Sequence, residues 1–207
     1  MEIALRPWTD ADLPLLRGLL GDPAMMTYLG GPEPEEKLLA RHARYLGLDA
    51  TGSGRVFVVT IGPEATPAGW VGYWEEAWHA EPTWEMGWNV LPAFQGRGLA
   101  SAGAALALEQ AAADGRYRFV YAFPSVDNAA SNAVCARLEF ERLGTENLEY
   151  PPGTWMECAI WRRDLTATPV RADPVTERQT PRHWYDRRTA RCTGRWALPR
   201  SSEAPRD

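Results

Sequence analysis

The sequence predicts an α+β domain with a sheet of about seven strands, followed by an extension of different character. Segments that alternate or are rich in aromatic and branched residues recur seven times between residues 2 and 165. Stretches with helical apolar spacing fall among them in a fixed order: strand, helices, three strands, helix, strand, helix, two strands. From Thr166 onward that periodicity vanishes.

Residues 2–8 alternate as a first strand. Thr9 is placed to cap a helix, with Asp12 three residues on as the acid of a shortened capping box, and Leu13, Leu16, Leu19 and Leu20 share a helical face. Asp22-Pro23 reads as a second helix start, with Pro in the first turn. A third helix from Pro34 to Leu48 carries Leu38, Leu39, His42, Tyr45 and Leu46 as its apolar stripe. Residues 55–61, 69–78 and 83–91 then form an antiparallel meander joined by Gly/Pro turns. Pro92 ends it, because proline cannot donate to a ladder. An alanine-rich helix from Leu99, a strand over 118–123, a helix from about Asn128 and strands over 141–148 and 154–162 complete the order.

Between meander and helix lies Gln95-Gly96-Arg97-Gly98-Leu99-Ala100. A glycine-rich turn feeding a helix N-terminus offers free N–H groups and about half a positive charge, which suits a phosphate. Gly96 and Gly98 let a bulky anion approach the backbone, and Arg97 adds a fixed charge. The dinucleotide pattern G-x-G-x-x-G fails, since Ser101 stands where its third glycine belongs. The nucleotide P-loop fails too, because no Gly-Lys-Ser/Thr follows and Lys37 is the only lysine. What remains is Gln/Arg-x-x-Gly-x-Gly/Ala, met by Gln95, Gly98 and Ala100.

That spacing resembles the acetyl-CoA pyrophosphate loop of the GNAT superfamily of N-acetyltransferases. The segment from Phe119 to Phe140 is similar to the GNAT strand, loop and helix that ends in Leu-Gly-Phe, and Asn128 with Ser131 resembles the Rim-type branch that acetylates protein N-termini and related amines. The resemblance covers about residues 2–165 and implies a mixed, twisted sheet with helices on both faces. It implies acetyl-CoA as acyl donor, held by Asn89, Val90 and Leu91, by the turn residues Gln95, Gly96, Arg97, Gly98, Leu99, Ala100 and Ser101, and by Asn128 and Ser131. Two positions depart from the pattern. Glu139 replaces the glycine that supplies φ > 0 at the helix end. Cys135 stands where relatives carry a tyrosine proposed as general acid.

Composition bounds the rest. The chain has 207 residues, 45% hydrophobic, which is room for one domain, residues 1–165, and a tail, residues 166–207. No run approaches the roughly 20 apolar residues of a membrane span, and the N-terminus has neither the basic start nor the apolar block of a secretion signal. Cys135, Cys158 and Cys192 are odd in number and far apart, which argues against structural zinc or a disulfide framework and for a reducing cytoplasm. The tail is rich in Pro, Thr and Arg and carries about +4, so residues 1–165 carry about −9 of the net −5. Disorder is expected of the tail, and an acidic body steers cationic substrates.

Acetyl transfer to an amine needs a base, because a primary amine of pKa about 8 to 10 is mostly ammonium at neutral pH. Glu85 is the first candidate, with desolvation by Trp84 and Trp88 as the device that raises its basicity; a charge on a half-exposed strand is the plain alternative. Glu157 competes, and His79 reads as a turn residue. Gly87 marks either a strand bulge or close packing. Ser131 either meets the cofactor, and protonates the departing thiolate, or decorates a helix start. Trp70, Tyr73, Trp74, Trp78, Trp84 and Trp88 are mostly core, with some free to line an acceptor cleft by cation–π contact. The expected enzyme is a monomer or homodimer that transfers acetyl directly to a primary amine of a small molecule or protein N-terminus, without metal, membrane or nucleic acid. The rival is a non-catalytic acyl-CoA-binding or regulatory module whose arginine-rich tail contacts nucleic acid.

Overall fold

The computed structural model describes residues 2–28, 30–150 and 153–167; most of the 166–207 tail, with Cys192, lies outside the described residues. The strands are β1 (Ile3–Pro7), β2 (Gly54–Ile61), β3 (Thr66–Trp78), β4 (Glu81–Val90), β5 (Phe119–Ala122), β6 (Glu141–Glu149) and β7 (Trp155–Asp164). They form one sheet in the order β1-β2-β3-β4-β5-β7-β6. Every neighbouring pair is antiparallel except β4 and β5, so the sheet is mixed, as expected. The helices are α1 (Leu13–Leu20), α2 (Glu35–Thr51), α3 (Leu99–Asp114) and α4 (Ala129–Arg137).

Two apolar clusters sandwich the sheet. On one face Leu15, Leu16, Leu19, Leu38, Tyr45 and Leu48 of α1 and α2 pack on Val56, Val58, Trp70 and Trp74. On the other, the alanines of α3 and Val134 and Cys135 of α4 pack on Val59, Val71, Tyr73, Trp84, Met86 and Val120. The small side chains of α3 let its backbone lie close to the sheet.

The capping box forms in spite of the short acid. Residues Asp10–Asp12 make a 3₁₀ turn, and Asp12 Oδ2 accepts from Thr9 N and Thr9 Oγ1, each at 2.8 Å. Asp12 is buried and takes a bidentate pair from Arg6 at 2.6 and 2.7 Å. The start expected at Asp22-Pro23 makes turns and no helix: Asp22 Oδ1 accepts from Ala24 N at 2.8 Å, an Asx turn that competes with the helical ladder. Glu33 N then donates to Leu20 O at 2.8 Å, which returns the chain to α1.

Glu139 leaves the helix cap intact. It adopts φ +55 itself, Glu139 N donates to Ala136 O at 3.1 Å and Phe140 N to Cys135 O at 3.0 Å, a Schellman motif with glutamate in the glycine position. Buried Arg163 reinforces it by donating to Leu138 O at 2.7 Å.

Candidate functional site

The parallel pair β4–β5 is short. It registers only Trp84 with Val120 and Glu85 with Tyr121, and Thr83 Oγ1 fastens the closed end by donating to Phe119 O at 2.8 Å. Past Glu85, Met86–Val90 keeps its ladder with β3 and leaves β5 behind. At about 3.3 Å per residue this opens a wedge roughly 16 Å long. Both strands run toward the same edge, and each delivers a helix N-terminus there: α3 after the glycine turn, α4 after residues 123–128.

The turn is built by conformation. Gly96 and Gly98 take φ +67 and +81, a left-handed geometry costly for residues with a Cβ, and the space a Cβ would enter is open at both. Gly98 caps α3 without a side-chain hydrogen bond, so no cap competes for the first-turn N–H groups of Leu99, Ala100 and Ser101. Leu99 and Ser101 are buried. Arg97 differs from expectation: its side chain is 2% exposed with its guanidinium 5.7 Å from the Phe94 ring, so it braces the turn from inside. Gln95 braces it too, donating from Nε2 to Val90 O at 2.9 Å. Val90 and Leu91 are buried, and Leu91 N donates to Ala68 O at 2.8 Å. Asn89 lies opposite Trp70 in the β3–β4 ladder and is half-buried.

On the α4 side, Asn128 is the N-cap and its Oδ1 accepts from Ser131 N at 3.0 Å. Sequence reasoning missed Asn132, which lies one turn along and fixes this end. Its Nδ2 donates to Ser125 O and Asn128 O, each at 2.9 Å, and Trp161 Nε1 donates to its Oδ1 at 2.8 Å. Ser131 is half-buried in the first turn beside these groups. Cys135 is fully buried and burial pushes its thiol up to about 12, which removes it as a nucleophile at neutral pH.

Glu85 sits at the apex of the wedge. Burial first, then the charge of Glu76, raise its carboxyl to about 7; a hydrogen bond from Trp74 and the charges of Arg44 and Arg41 oppose the rise. The aromatic beside Glu85 is Trp74, its cross-strand partner and the donor of that hydrogen bond. Alternation turns Trp84 and Trp88 to the α3 face, away from Glu85. Cys158 lies near enough that, after burial, Glu85's charge helps lift its thiol to about 11. Glu157 is exposed on β7. His79 occupies the β3–β4 turn at φ +49, with Nε2 3.2 Å from Glu146 Oε1. Gly87 makes no bulge, since the β3–β4 register runs through it unbroken; it leaves room for Trp74 and Trp70, whose ring atoms would lie 2.9 and 3.3 Å from an added Cβ.

Half-buried Trp78, Tyr121 and Phe123 form an aromatic wall on the same face as Glu85, with Trp78 and Phe123 centroids 4.7 Å apart. Exposed carboxylates of Glu76, Glu81 and Glu146 stand on the two hairpins around it. Among the described residues no helix is long and apolar enough to cross a membrane, and no group of three or more His, Cys, Asp or Glu is placed to hold a metal ion.

Comparison with known proteins agrees with this fold. The family model for the acetyltransferase (GNAT) domain matches residues 2–141. Among solved structures, a GNAT-family acetyltransferase from Bacillus anthracis superposes with a TM-score of 0.66 at 18% identity, covering 81% of this chain and 97% of that one. The ribosomal L7/L12 α-N-protein acetyltransferase RimL, in complex with coenzyme A, gives 0.65 at 21% identity, covering 78% and 93%. The spermidine N-acetyltransferase of Vibrio cholerae, with CoA and spermine, gives 0.66 at 19% identity, covering 79% and 96%. At these identities the likeness is one of fold.

Proposed function

The chain belongs to the GNAT acetyltransferase family, and from that premise we propose that it moves an acetyl group from acetyl-CoA directly to a primary amine, with Glu85 as the base. The observation that supports this is the wedge itself. A phosphate-receptive turn closes one end, and a carboxylate poised near neutrality stands where β4 and β5 part. Two similar structures were solved with coenzyme A bound, and their acceptors are a protein N-terminus in one and a polyamine in the other.

Backbone N–H groups of the turn and of the first turn of α3 would hold the pyrophosphate, and the open space at Gly96 and Gly98 fits a group of that bulk. The pantetheine arm is narrow enough for the parting strands. Glu85 accepts a proton from the ammonium form of the acceptor, directly or through water. The free amine attacks the thioester carbonyl and the N–C bond forms; the C–S bond breaks with its electron pair leaving on sulfur, and the second proton shed by the nitrogen passes to the thiolate. An oxyanion in between needs a fixed donor, and the backbone of β4 at Asn89 and Val90 is our choice, since Leu91 N is already held by Ala68 O. Ser131 is the group we assign to the departing thiolate, on the strength of its place in the first turn of α4 and the Asn128–Ser131 pattern. The Rim-type resemblance favours a protein N-terminus as acceptor; the acidic rim accommodates a small cationic amine equally well.

A screen of pooled amines and peptide N-termini, with free thiol release as signal, tests the reading. Glu85→Gln should then lower kcat about 10²–10⁴-fold while acetyl-CoA affinity stays within about twofold. Full turnover in a folded Glu85→Gln variant would remove Glu85 from the mechanism. If Glu157→Gln abolishes turnover instead, the base is on β7.

A further inference from the structure

Two elements that flank the Glu85 face are tied across it. Arg41 of α2 donates from Nη2 to Tyr150 Oη at 2.8 Å, joining residues 109 apart in sequence. Arg41 is itself fixed by Glu33, with Nε donating to Oε2 at 3.0 Å and Nη2 reaching Oε1. Neither partner is loosely held: the Arg41 and Glu33 side chains are 21% and 11% exposed. Tyr150 stands just past the end of β6, and its N–H donates to Thr154 O at 2.7 Å, which pins it within the β6–β7 hairpin.

The tie lies on the side of the sheet that carries the base. Arg41, Arg44 and Tyr45 fall at i, i+3 and i+4, so they share one face of α2. Arg44 stacks over Trp74 at 5.2 Å, and Trp74 is the residue that hydrogen-bonds Glu85. Arg41 is close enough to Glu85 to bear on its charge as well. The Glu33–Arg41–Tyr150 chain therefore runs from α2 to the hairpin on the Glu85 side of the sheet, the side that also carries Trp78, Tyr121 and Phe123.

We infer that Arg41 and Tyr150 form a latch that positions the amine acceptor by holding the β6–β7 hairpin against α2. The inference rests on the acetyltransferase reading above and adds two positioning residues to it. Neither residue touches the reacting atoms. Their effect is to set the width of the acceptor approach, so breaking the latch weakens acceptor capture and spares the acyl donor, whose turn lies at the other end of the wedge.

Tyr150→Phe removes one hydroxyl and keeps the ring. With an acceptor found by the amine screen, it should raise the acceptor KM about tenfold, the loss of one ordinary hydrogen bond, and leave kcat and the acetyl-CoA KM within about twofold. The acidic limb of the pH–rate profile should stay in place, because Arg41 keeps its charge through Glu33. Arg41→Gln should raise the acceptor KM equally and also move that limb upward, since Glu85 then loses a nearby cation while Glu76 and Arg44 remain. The double variant should be no worse in acceptor KM than Arg41→Gln alone, as expected of one shared interaction. An unchanged acceptor KM in Tyr150→Phe, or additive losses in the double variant, overturns the latch with the acetyltransferase reading standing. A fall in kcat with a rise in both KM values together would mark general damage and overturn it as well. No thiol release by the wild-type chain with any amine would sink the parent reading and the latch with it.

Discussion

Glu85 is held at odds with its own charge. Its carboxyl rises from an ordinary value near 4.5 to about 7, through burial and then through Glu76 on the adjacent strand. A proton thus binds the folded chain more tightly than the unfolded one. Stability falls as pH climbs from about 4.5 to about 7 and stays lowered above it. A base with this property works near neutrality and destabilises the fold that holds it, a trade seen where function needs a strained group. Glu85→Gln should therefore raise the melting temperature at pH 8, with the gain shrinking toward nothing as the pH approaches 4.5. An equal gain at both ends would mean that the carboxylate is not desolvated. The neighbour can be tested separately. Glu76→Gln removes the second cause of the rise and should shift the limb of kcat/KM near pH 7 downward, with the maximum rate kept within a few-fold. A limb that does not move would show Glu76 screened by water.

At the scale of elements, the helix cap after α4 shows a local rule overridden. Glu139 stands at φ +55, where a Cβ costs about 1 kcal/mol, and Arg163 lies 3.6 Å from its 70% exposed carboxylate as charged compensation. Arg163's bond to the Leu138 carbonyl survives the loss of that side chain. Glu139→Gly should stabilise the protein by about 0.5–1 kcal/mol and raise the melting temperature by about 2–4 °C. A lower melting temperature would show that the Arg163–Glu139 pair matters more than the backbone conformation. The same element explains what the sequence could and could not disclose. Strands and long helices were legible because their signals are local: β3 and β4 are rich in aromatic and branched residues, and α2 repeats its apolar stripe. The turn over 95–101 was legible because glycine spacing dictates backbone geometry. What depended on register was not. The sequence suggested Trp84 and Trp88 as the groups around Glu85, yet they lie on the opposite face, and Trp74 becomes the neighbour only once β3 pairs with β4. Asp22-Pro23 carried a helix-start pattern that one Asx turn consumed. Arg97 looked like a phosphate ligand and packs inward, since nothing in a motif says which way a side chain points. The Arg41–Tyr150 tie spans 109 residues and no local pattern could have announced it.

For the molecule as a whole, the acidic body and the basic tail are separable in charge, and the described structure shows where the body closes. β7 ends at Asp164, whose carboxylate accepts from Arg118 at 2.7 Å and from Thr166 N and Oγ1 at 2.9 and 2.7 Å. Leu165 N donates to Arg118 O at 2.8 Å, and its side chain packs beside the α3 cluster. Ala167 N turns back to Asp164 O at 3.2 Å. Among the described residues, the bonds that secure the end of β7 thus include those of Thr166 and Ala167. The glycine turn, Glu85, the α4 N-terminus and the Arg41–Tyr150 tie all lie upstream. We therefore propose that residues 1–167 suffice for the catalytic unit. A chain stopped there should melt within about 2 °C of the full protein and bind acetyl-CoA within about twofold. A chain stopped at Leu165 loses the two Thr166 bonds to Asp164 and should melt slightly lower. Arginines of the tail are interleaved with Asp and Glu, and an excess of about four charges gives only weak, salt-sensitive contact with nucleic acid. Tight, salt-resistant DNA or RNA binding by the full chain would revive the regulatory reading. Loss of turnover in the Ala167 chain with acetyl-CoA binding retained would place the tail at the acceptor site, where its positive charge meets the acidic rim of the two hairpins.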